Sequence, residues 1–369
     1  MLRILDQAEA APFLNRASRR LDDALEIVNP IVRDVRDRGD AAVRGYAGKL
    51  DGFTGESFIV ESCGELDPAL LESVTVAAKN IRDFAQQQLV KPWQTTTSDG
   101  RTLGQIIRPL DSVGVYVPAG RYPLLSTMLM TVIPAQVAGV REIVVVCAKP
   151  TPEMLAMAKW LGITSILKLG GAQAIAALAY GTESIGKVQR IVGPGNAYVA
   201  AAKKLVSGDV GIDFVAGPSE IVIVANSGNP QWVALDMLAQ CEHDVDARAL
   251  LLTTSAAFAT QVQHEVAAQL ATLPTADVAA KSIEKNSAII VCTDEVEIID
   301  LVNEIAPEHL SLPNNLLIDQ IRNAGSIFIG PFSTEAAGDY ASGPNHVLPT
   351  SGVAALRGGL SVNDFVKVI

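Results

Sequence analysis

Short runs of β-branched and other apolar residues alternate with helix-length segments from Val113 onward, and this alternation constrains the fold more than any other feature. The runs are, in order, VGVYVP, EIVVVCA, SILKLG, RIVG, EIVIVA, ALLLTTS, AIIVCT and SIFIG. Most are followed by a turn residue and then by a helical pattern. Parallel strands need a crossover connection, which is usually a helix, so this alternation predicts an α/β fold with parallel-type sheets.

The strand-like runs fall into two sets, one from Val113 to about Gly217 and one from Glu220 onward. A chain of 369 residues is also longer than one domain usually is. We therefore expect two incomplete Rossmann-like domains, one inserted in the other: residues 113–216 form the inserted domain, and residues 1–112 with 217–369 form the other. Ligands of open α/β sheets bind beyond the carboxyl ends of the strands, so functional residues are expected in the loops there.

The first part of the chain is predicted to be helical. Val28, Ile31, Val32 and Val35 recur at helical spacing, and the segment PALLESVTVAAKNIRDFAQQQL reads as a second amphipathic helix that stops before Pro92.

Composition excludes several classes of protein. The formal net charge of -11 argues against a nucleic-acid surface, and no segment has the roughly 18 apolar residues of a membrane span. The N-terminus lacks the apolar region of a signal peptide. The cysteines show no C-x-x-C spacing, and Cys147 and Cys292 lie in apolar runs that predict core positions. We expect a soluble cytoplasmic protein that binds neither nucleic acid nor membrane.

The stretch LAQCEHDVDA places Gln240 and His243 near the end of a helix that is predicted to begin after Asn229, with Pro230 in its first turn. Residues three apart project from one side of a helix, so this side offers an amide oxygen and an imidazole to a divalent metal. The alternative is a histidine that only compensates the helix dipole.

Two further stretches carry groups suited to acid-base or metal chemistry. In NEIAPEHLSL, Pro307 ends a helical pattern, and the next two residues, Glu308 and His309, lie side by side; this is a pair suited to general acid-base catalysis or a solvated turn. In GDYASGPNHVLPT, Asp339 is either an oxygen ligand or a residue that bonds its own turn.

Glycine-rich turns follow two of the predicted strands. The segments LKLGGAQAIAALA and IVGPGNAYVAAAKKL place Gln173 and Asn196 at helix starts, where free N–H groups favour a phosphate. Neither is a G-x-G-x-x-G sequence, and a glycine before a helix is often only a tight turn.

Seven stretches, taken in order, resemble the histidinol dehydrogenase family over nearly the whole chain. They are GVYVPAGRYPLLSTMLMTVIPAQVAGV, GGAQAIAALAYGT, VGPGNAYV, DFVAGPSEIVIVA, LAQCEHD, APEHL and GDYASGPNHVLPT. The resemblance implies a zinc enzyme of histidine biosynthesis that oxidises L-histidinol to L-histidine through histidinaldehyde, with two NAD molecules reduced in turn. It also implies an NAD-binding inserted domain and a catalytic, zinc-binding remainder.

The resemblance also assigns roles to residues. It implies that Glu308 and His309 are the catalytic pair. It implies that zinc is held by Gln240, His243 and Asp339, that the substrate is contacted by Ser219, Gln240, His243, His309 and Asp339, and that the NAD site is lined by Tyr116, Gln173 and Asn196.

The sequence departs from the family in three places. Ala119 stands where the family usually has glycine, and Cys241 stands where it usually has alanine. The family also has a C-terminal tail, shared across a homodimer, with a further substrate-binding Glu and a last zinc-ligand His; the sequence as read ends at Ile369, before that tail. Two alternatives therefore stay open: a paralogue that oxidises another small polar or amino alcohol, and a catalytically weakened binding or assembly subunit. A metal-dependent hydrolase is disfavoured by the NAD-type turns.

Overall fold

The computed structural model of the protein describes residues 2–14, 19–119 and 124–369. The chain divides into two compact units. Unit one comprises Met1–Ser18, Ala216–Asp339 and Leu348–Gly359, and unit two comprises Arg19–Val215, Tyr340–Val347 and Leu360–Ile369. The predicted boundaries differ for residues 19–112, which belong with residues 113–215.

The described residues contain the following strands and helices. The strands are β1 (Arg3–Leu5), β2 (Ile59–Glu61), β3 (Trp93–Thr96), β4 (Thr102–Gln105), β5 (Ile107–Pro109), β6 (Ser112–Tyr116), β7 (Glu142–Val146), β8 (Ser165–Leu167), β9 (Arg190–Val192), β10 (Gly211–Ile212), β11 (Glu220–Val224), β12 (Arg248–Thr253), β13 (Ala288–Val291), β14 (His309–Leu312), β15 (Ser326–Ile329) and β16 (Val366–Val368). The α-helices are α1 (Gln7–Leu14), α2 (Arg19–Arg38), α3 (Asp40–Tyr46), α4 (Pro68–Gln87), α5 (Leu125–Ala138), α6 (Pro152–Trp160), α7 (Gly171–Tyr180), α8 (Ala197–Val206), α9 (Pro230–Cys241), α10 (Ala256–Leu270), α11 (Ala276–Asn286), α12 (Glu295–Ile305) and α13 (Glu335–Gly338).

Unit one is built on a six-stranded sheet in the order β1-β13-β12-β11-β14-β15. All five strand pairs are parallel. Alternate residues of a strand face opposite sides, so Ile221 and Ile223 pack against α9 and α10, whereas Val222 and Val224 join the core on the side of α12. Burial on both faces explains why these strands read as continuous apolar runs.

Unit two is built on a second six-stranded sheet, in the order β10-β9-β6-β7-β8-β2, in which only the pairing of β2 with β8 is antiparallel. Helix α2 packs against α7 and α8 through Val28, Val32 and Val35. This contact and the pairing of β2 are why residues 19–112 belong to unit two: the apolar face of α2 is buried only there. The β3–β4 hairpin and the pairing of β5 with β16 form two small antiparallel sheets.

The predicted α/β class with parallel-type sheets is confirmed. Every strand-like run in the sequence forms a strand, and both predicted N-terminal helices are present as α2 and α4. Cys147 and Cys292 are buried, as predicted. Within the residues that the structure describes, no helix is long and apolar enough to cross a membrane.

Candidate functional site

The predicted catalytic pair lies at the amino end of a central strand of unit one. Ala306, in the left-handed conformation, ends α12, Pro307 follows, and His309 begins β14 between β11 and β15. His309 is therefore a buried strand residue and not part of a solvated turn, which was the alternative that the sequence left open. Both Glu308 and His309 are buried, with exposed fractions of 5% and 7%. Groups buried in this way are held in one orientation by their neighbours.

Glu220, the first residue of β11, positions both members of the pair through its backbone. Its N–H donates to Glu308 Oε2 at 2.9 Å, and its carbonyl lies 3.2 Å from His309 Nδ1. When Nδ1–H donates to that carbonyl, Nε2 carries the lone pair and is the atom that can accept a proton. The Glu220 carboxylate is itself held by the Ser351 N–H at 2.8 Å. Sequence reasoning missed Glu220, although an acidic residue directly before a buried apolar strand was a visible signal.

The surroundings of Glu308 favour its protonated form. Burial raises the pKa of Glu308 well above its usual value, and the negative charges of Glu220 and Asp339 raise it further; the Glu220 N–H and the Ser219 hydroxyl oppose this by bonding the carboxylate. A carboxyl with a raised pKa exchanges protons closer to neutral pH, as a general acid or base requires. Ser219, predicted to contact substrate, thus contacts Glu308 in the structure.

The three predicted metal ligands lie on the same side of unit one. Asn229 caps α9 as predicted, and Gln240 lies in its last turn, only 1% exposed. His243 follows the end of the helix, and its Nε2 lies 3.9 Å from Asp339 Oδ2 at the end of α13. Within the described ranges, no group of three or more His, Cys, Asp or Glu side chains has metal-site geometry. The predicted set contains two such residues and an amide.

Two further carboxylates, Asp236 and Glu335, lie beside these residues, and the sequence analysis missed both. Asp236, one helical turn before Gln240, accepts a hydrogen bond from Thr334 at 3.3 Å. Glu335 is buried, and neither of its carboxylate oxygens has a hydrogen-bond partner in the described part of the chain. Burial and the charges of Asp236 and, less strongly, Asp339 raise the pKa of Glu335 to about 8. A buried carboxyl with a half-buried carboxylate close enough to raise its pKa suits a site for a cation.

The location of these groups corrects one expectation. Functional residues were expected beyond the carboxyl ends of the strands, but in unit one they lie at the amino ends of β11 and β14 and at the C-terminal ends of α9 and α12. The physical reason is that each helix of a parallel sheet runs back to the amino edge, where its C-terminus carries a partial negative charge. That edge favours cations and imidazolium groups.

In unit two, the predicted site residues lie at the carboxyl edge of the sheet, where the sequence analysis expected functional residues. A cavity of about 880 Å³ lies where β6, β7, β8 and β9 reach their carboxyl ends, and its wall includes Tyr116, Gln173 and Asn196. The structure therefore brings the three predicted NAD-site residues together. A cavity of this size is within the range of small-molecule and cofactor sites.

Hydrogen bonds inside the cavity occupy several of the N–H groups that were expected to be free for a phosphate. The Gly170 N–H donates to Asp51 Oδ2 at 3.2 Å, and the Gly171 N–H donates to the Tyr116 hydroxyl at 3.1 Å. At the start of α8, the Asn196 side chain accepts from the Tyr198 and Val199 N–H groups, both at 3.1 Å. The Asn196 side chain therefore caps α8, whereas α7 has no side-chain cap and only its Gly170 and Gly171 N–H groups are bonded, by Asp51 and Tyr116.

Tyr116 and Gln173 are held tightly by these contacts. Burial, with smaller effects of the nearby Asp51 and Cys147 charges, raises the pKa of Tyr116 to about 12. The hydroxyl therefore stays protonated and can donate a hydrogen bond. Gln173 is fully buried and donates from Nε2 to Asp51 Oδ2 at 2.9 Å, whereas its Oε1 has no partner among the described residues. The sequence analysis missed Asp51, which lies 122 positions before Gln173 in the chain.

A buried ion pair supports the turn after β9. Lys203 donates to the Gly193 carbonyl at 2.7 Å and pairs with Asp213, which also accepts the Gly193 N–H at 2.8 Å. Gly193 has φ +114°, and a Cβ there would lie 2.2 Å from the Tyr116 carbonyl oxygen. Only glycine fits this close approach of the turn to Tyr116.

Known proteins are similar to this chain in sequence and in fold. A sequence model of the histidinol dehydrogenase family matches residues 14–369. Histidinol dehydrogenase of Halalkalibacterium halodurans is 48% identical over 357 residues, which cover 92% of this chain and 84% of that protein. Histidinol dehydrogenase of Methanothermobacter thermautotrophicus is 44% identical, with 98% and 88% covered. The crystal structure of histidinol dehydrogenase from Elizabethkingia anophelis is 36% identical and has a TM-score of 0.92, covering 100% of this chain and 89% of that one. The chain therefore belongs to the histidinol dehydrogenase family and is a dehydrogenase.

Proposed function

We propose that this dehydrogenase oxidises L-histidinol to L-histidine through histidinaldehyde, with zinc and NAD as cofactors. The observation that carries the proposal is the buried Glu308–His309 pair, whose two side chains are oriented by one residue, Glu220. A base and a carboxyl with a raised pKa, held side by side, suit two successive oxidations that need different proton transfers.

His309 acts in the first oxidation. Its Nδ1 is engaged by the Glu220 carbonyl, so Nε2 accepts the hydroxyl proton of the substrate as the alcohol becomes the aldehyde. Burial keeps the imidazole away from bulk water and fixes its direction.

Glu308 acts between the two oxidations. The aldehyde must be hydrated before it can be oxidised again, and the ionised form of Glu308, made a stronger base by its raised pKa, takes a proton from the attacking water. The Ser219 hydroxyl and the Glu220 N–H hold its carboxylate for this step. Substrate contacts from Ser219, Gln240, His243, His309 and Asp339 complete the proposed site.

The residues around Gln240 fit a zinc ion. An amide oxygen, an imidazole and a carboxylate are available from Gln240, His243 and Asp339, and the Glu335 carboxyl, which has no hydrogen-bond partner among the described residues, adds further oxygen atoms beside them. The cavity of unit two fits a dinucleotide by volume and by the polar groups of Tyr116, Gln173 and Asn196. When bound, zinc supplies a positive centre that holds nitrogen atoms of the substrate, and NAD supplies the hydride acceptor for both oxidations.

We also propose that the chain forms a homodimer, and the β3–β4 hairpin supports this. Trp93 and Leu103 lie on one face of the hairpin, because Leu103 pairs with Thr95, two residues after Trp93. Both are about half exposed, at 54% and 50%, and an isolated two-stranded hairpin is marginally stable. Light scattering of Trp93→Ser beside the parent tests this, and a parent that is monomeric at all concentrations contradicts it. The cytoplasmic location stays a prediction from the sequence.

The decisive experiment measures NADH formation from histidinol by the zinc-loaded protein and by His309→Asn. The variant is expected to fold and to retain zinc, while turnover falls by roughly 100- to 10,000-fold, as for loss of a general base. Turnover of other amino alcohols, but not of histidinol, would favour the paralogue. Absence of any NAD reduction by the zinc-loaded parent, despite NADH binding, would favour the binding or assembly subunit.

A further inference from the structure

The cavity of unit two contains a carboxylate, Asp51, that has no role in the proposed reaction. Among the described residues that line the cavity, Asp51 is the only acidic side chain and Lys149 is the only basic one. Asp51 ends the short π-helical turn Ala47–Asp51 after α3, so it enters the cavity from a segment that precedes the whole sheet of β6 to β9.

One oxygen of Asp51 is occupied and the other is not. Oδ2 accepts from the Gly170 N–H at 3.2 Å and from Gln173 Nε2 at 2.9 Å. No described residue donates a hydrogen bond to Oδ1. The first two bonds hold the carboxylate in place, and the second oxygen can accept from a ligand. A carboxylate accepts several hydrogen bonds, so this arrangement suits a partner with hydroxyl groups.

The same charge disfavours a phosphate group. Two N–H groups at the start of α7, those of Gly170 and Gly171, already bond Asp51 and Tyr116, and two N–H groups of α8 bond Asn196. Near Asp51, a phosphate would therefore meet a negative charge, and the Gly170 N–H is already bonded to that carboxylate. Like charges brought together at a binding site cost enough to decide between ligands.

We propose that Asp51 selects NAD over NADP, because its carboxylate accepts the hydroxyl groups of the adenosine ribose and repels a 2′-phosphate on that ribose. In dinucleotide sites an acidic residue often performs this role from a position after the glycine-rich turn. Here the residue comes from an earlier part of the chain. The inference rests on the proposed binding of the dinucleotide in this cavity. Lys149 makes the expected change in selectivity larger, because removal of the Asp51 charge leaves an ammonium group in the cavity that attracts the 2′-phosphate.

The test measures dissociation constants of NADH and NADPH by fluorescence titration of the full-length chain and its variants. Asp51→Asn keeps the shape of the side chain, and Asp51→Ser is a second variant in case the first does not fold. In both, the ratio of the NADPH constant to the NADH constant is expected to fall by roughly tenfold or more. Asp209→Asn, which removes an equal charge from an exposed position of the same unit, leaves the ratio unchanged.

Two results would overturn the inference, and they are distinguishable. If Asp51→Asn and Asp51→Ser weaken NADH and NADPH equally, the carboxylate does not face the 2′ position, although the cavity still binds the dinucleotide. Tyr198→Ala tests the cavity itself, because Tyr198 forms part of its wall and is 46% exposed. If neither this variant nor the Asp51 variants change NADH affinity, the dinucleotide binds elsewhere, and the proposed location fails together with the role of Asp51.

Discussion

Replacing Lys203 with Met tests how far the cofactor cavity depends on one buried ion pair. The Lys203 side chain is 4% exposed and the Asp213 side chain is fully buried. Lys203→Met leaves the Asp213 carboxylate without its cation and the Gly193 carbonyl without its donor. Deleting one partner of a buried pair costs about 3–5 kcal/mol. The Gly193 and Phe214 N–H groups still bond Asp213, at 2.8 Å and 2.7 Å, so the lower end of that range is expected.

A loss of about 3 kcal/mol in a unit of roughly 200 residues lowers the melting temperature by about 6–12 °C. The assay is thermal unfolding followed by circular dichroism, with NADH titration below the transition. NADH affinity is also expected to fall, because Gly193 lies directly against the Tyr116 backbone. Lys204→Met is the matched control, since Lys204 is the next residue of α8 and is exposed. If Lys203→Met melts within about 2 °C of Lys204→Met, the buried pair does not hold this turn and the reasoning is wrong.

Three other changes address unit one. His243→Ala should lower zinc content of chelator-washed protein, measured by elemental analysis; full occupancy would exclude it as a ligand. Glu308→Gln should slow oxidation of the aldehyde more than oxidation of the alcohol in single-turnover experiments, and equal losses would contradict its role in hydration. Glu335 has a pKa raised from 4.5 to about 8, so the folded metal-free protein holds its proton more tightly than the unfolded chain and loses stability as pH rises between these values. Glu335→Gln should remove this loss in the free energy of unfolding, which is at most roughly 4–5 kcal/mol at pH 8, and should have little effect near pH 4.5. If urea unfolding of the parent and of the variant shows the same dependence on pH, this prediction is wrong.

The two sheets place their polar groups at opposite edges, and the helix dipoles explain the difference. In unit one, Gln240 and Glu308 lie at or just after the C-termini of α9 and α12, where partial negative charge favours a cation. In unit two, Tyr116 and Gln173 lie at the carboxyl edge, where helix N-termini begin. The helix end that lies at each edge of the sheet therefore accounts for the position of the proposed metal site in unit one and of the proposed dinucleotide site in unit two.

The sequence by itself determined the class of fold and most of its elements. Strands such as β6, β11 and β12 are buried on both faces and read as apolar runs, and the N-cap of α9 follows from Asn229 and Pro230. These features depend on neighbouring residues in the chain, so local patterns reveal them. The motifs around Glu308, His309 and Gln240 also identified candidate site residues, since their chemistry is a property of the side chains.

Tertiary structure alone decided which groups meet. The four residues of β14, HLSL, alternate polar and apolar types only over a short run, and His309 is a strand residue because β11 and β15 pair with β14 on both sides. Residues 19–112 joined unit two because the apolar face of α2 is buried there against α7 and α8. Asp51 meets Gln173 across 122 positions of sequence, and Glu220 meets Glu308 across 88. Such contacts depend on how helices and strands pack, and a local sequence pattern holds no record of the distance between groups that lie far apart in the chain.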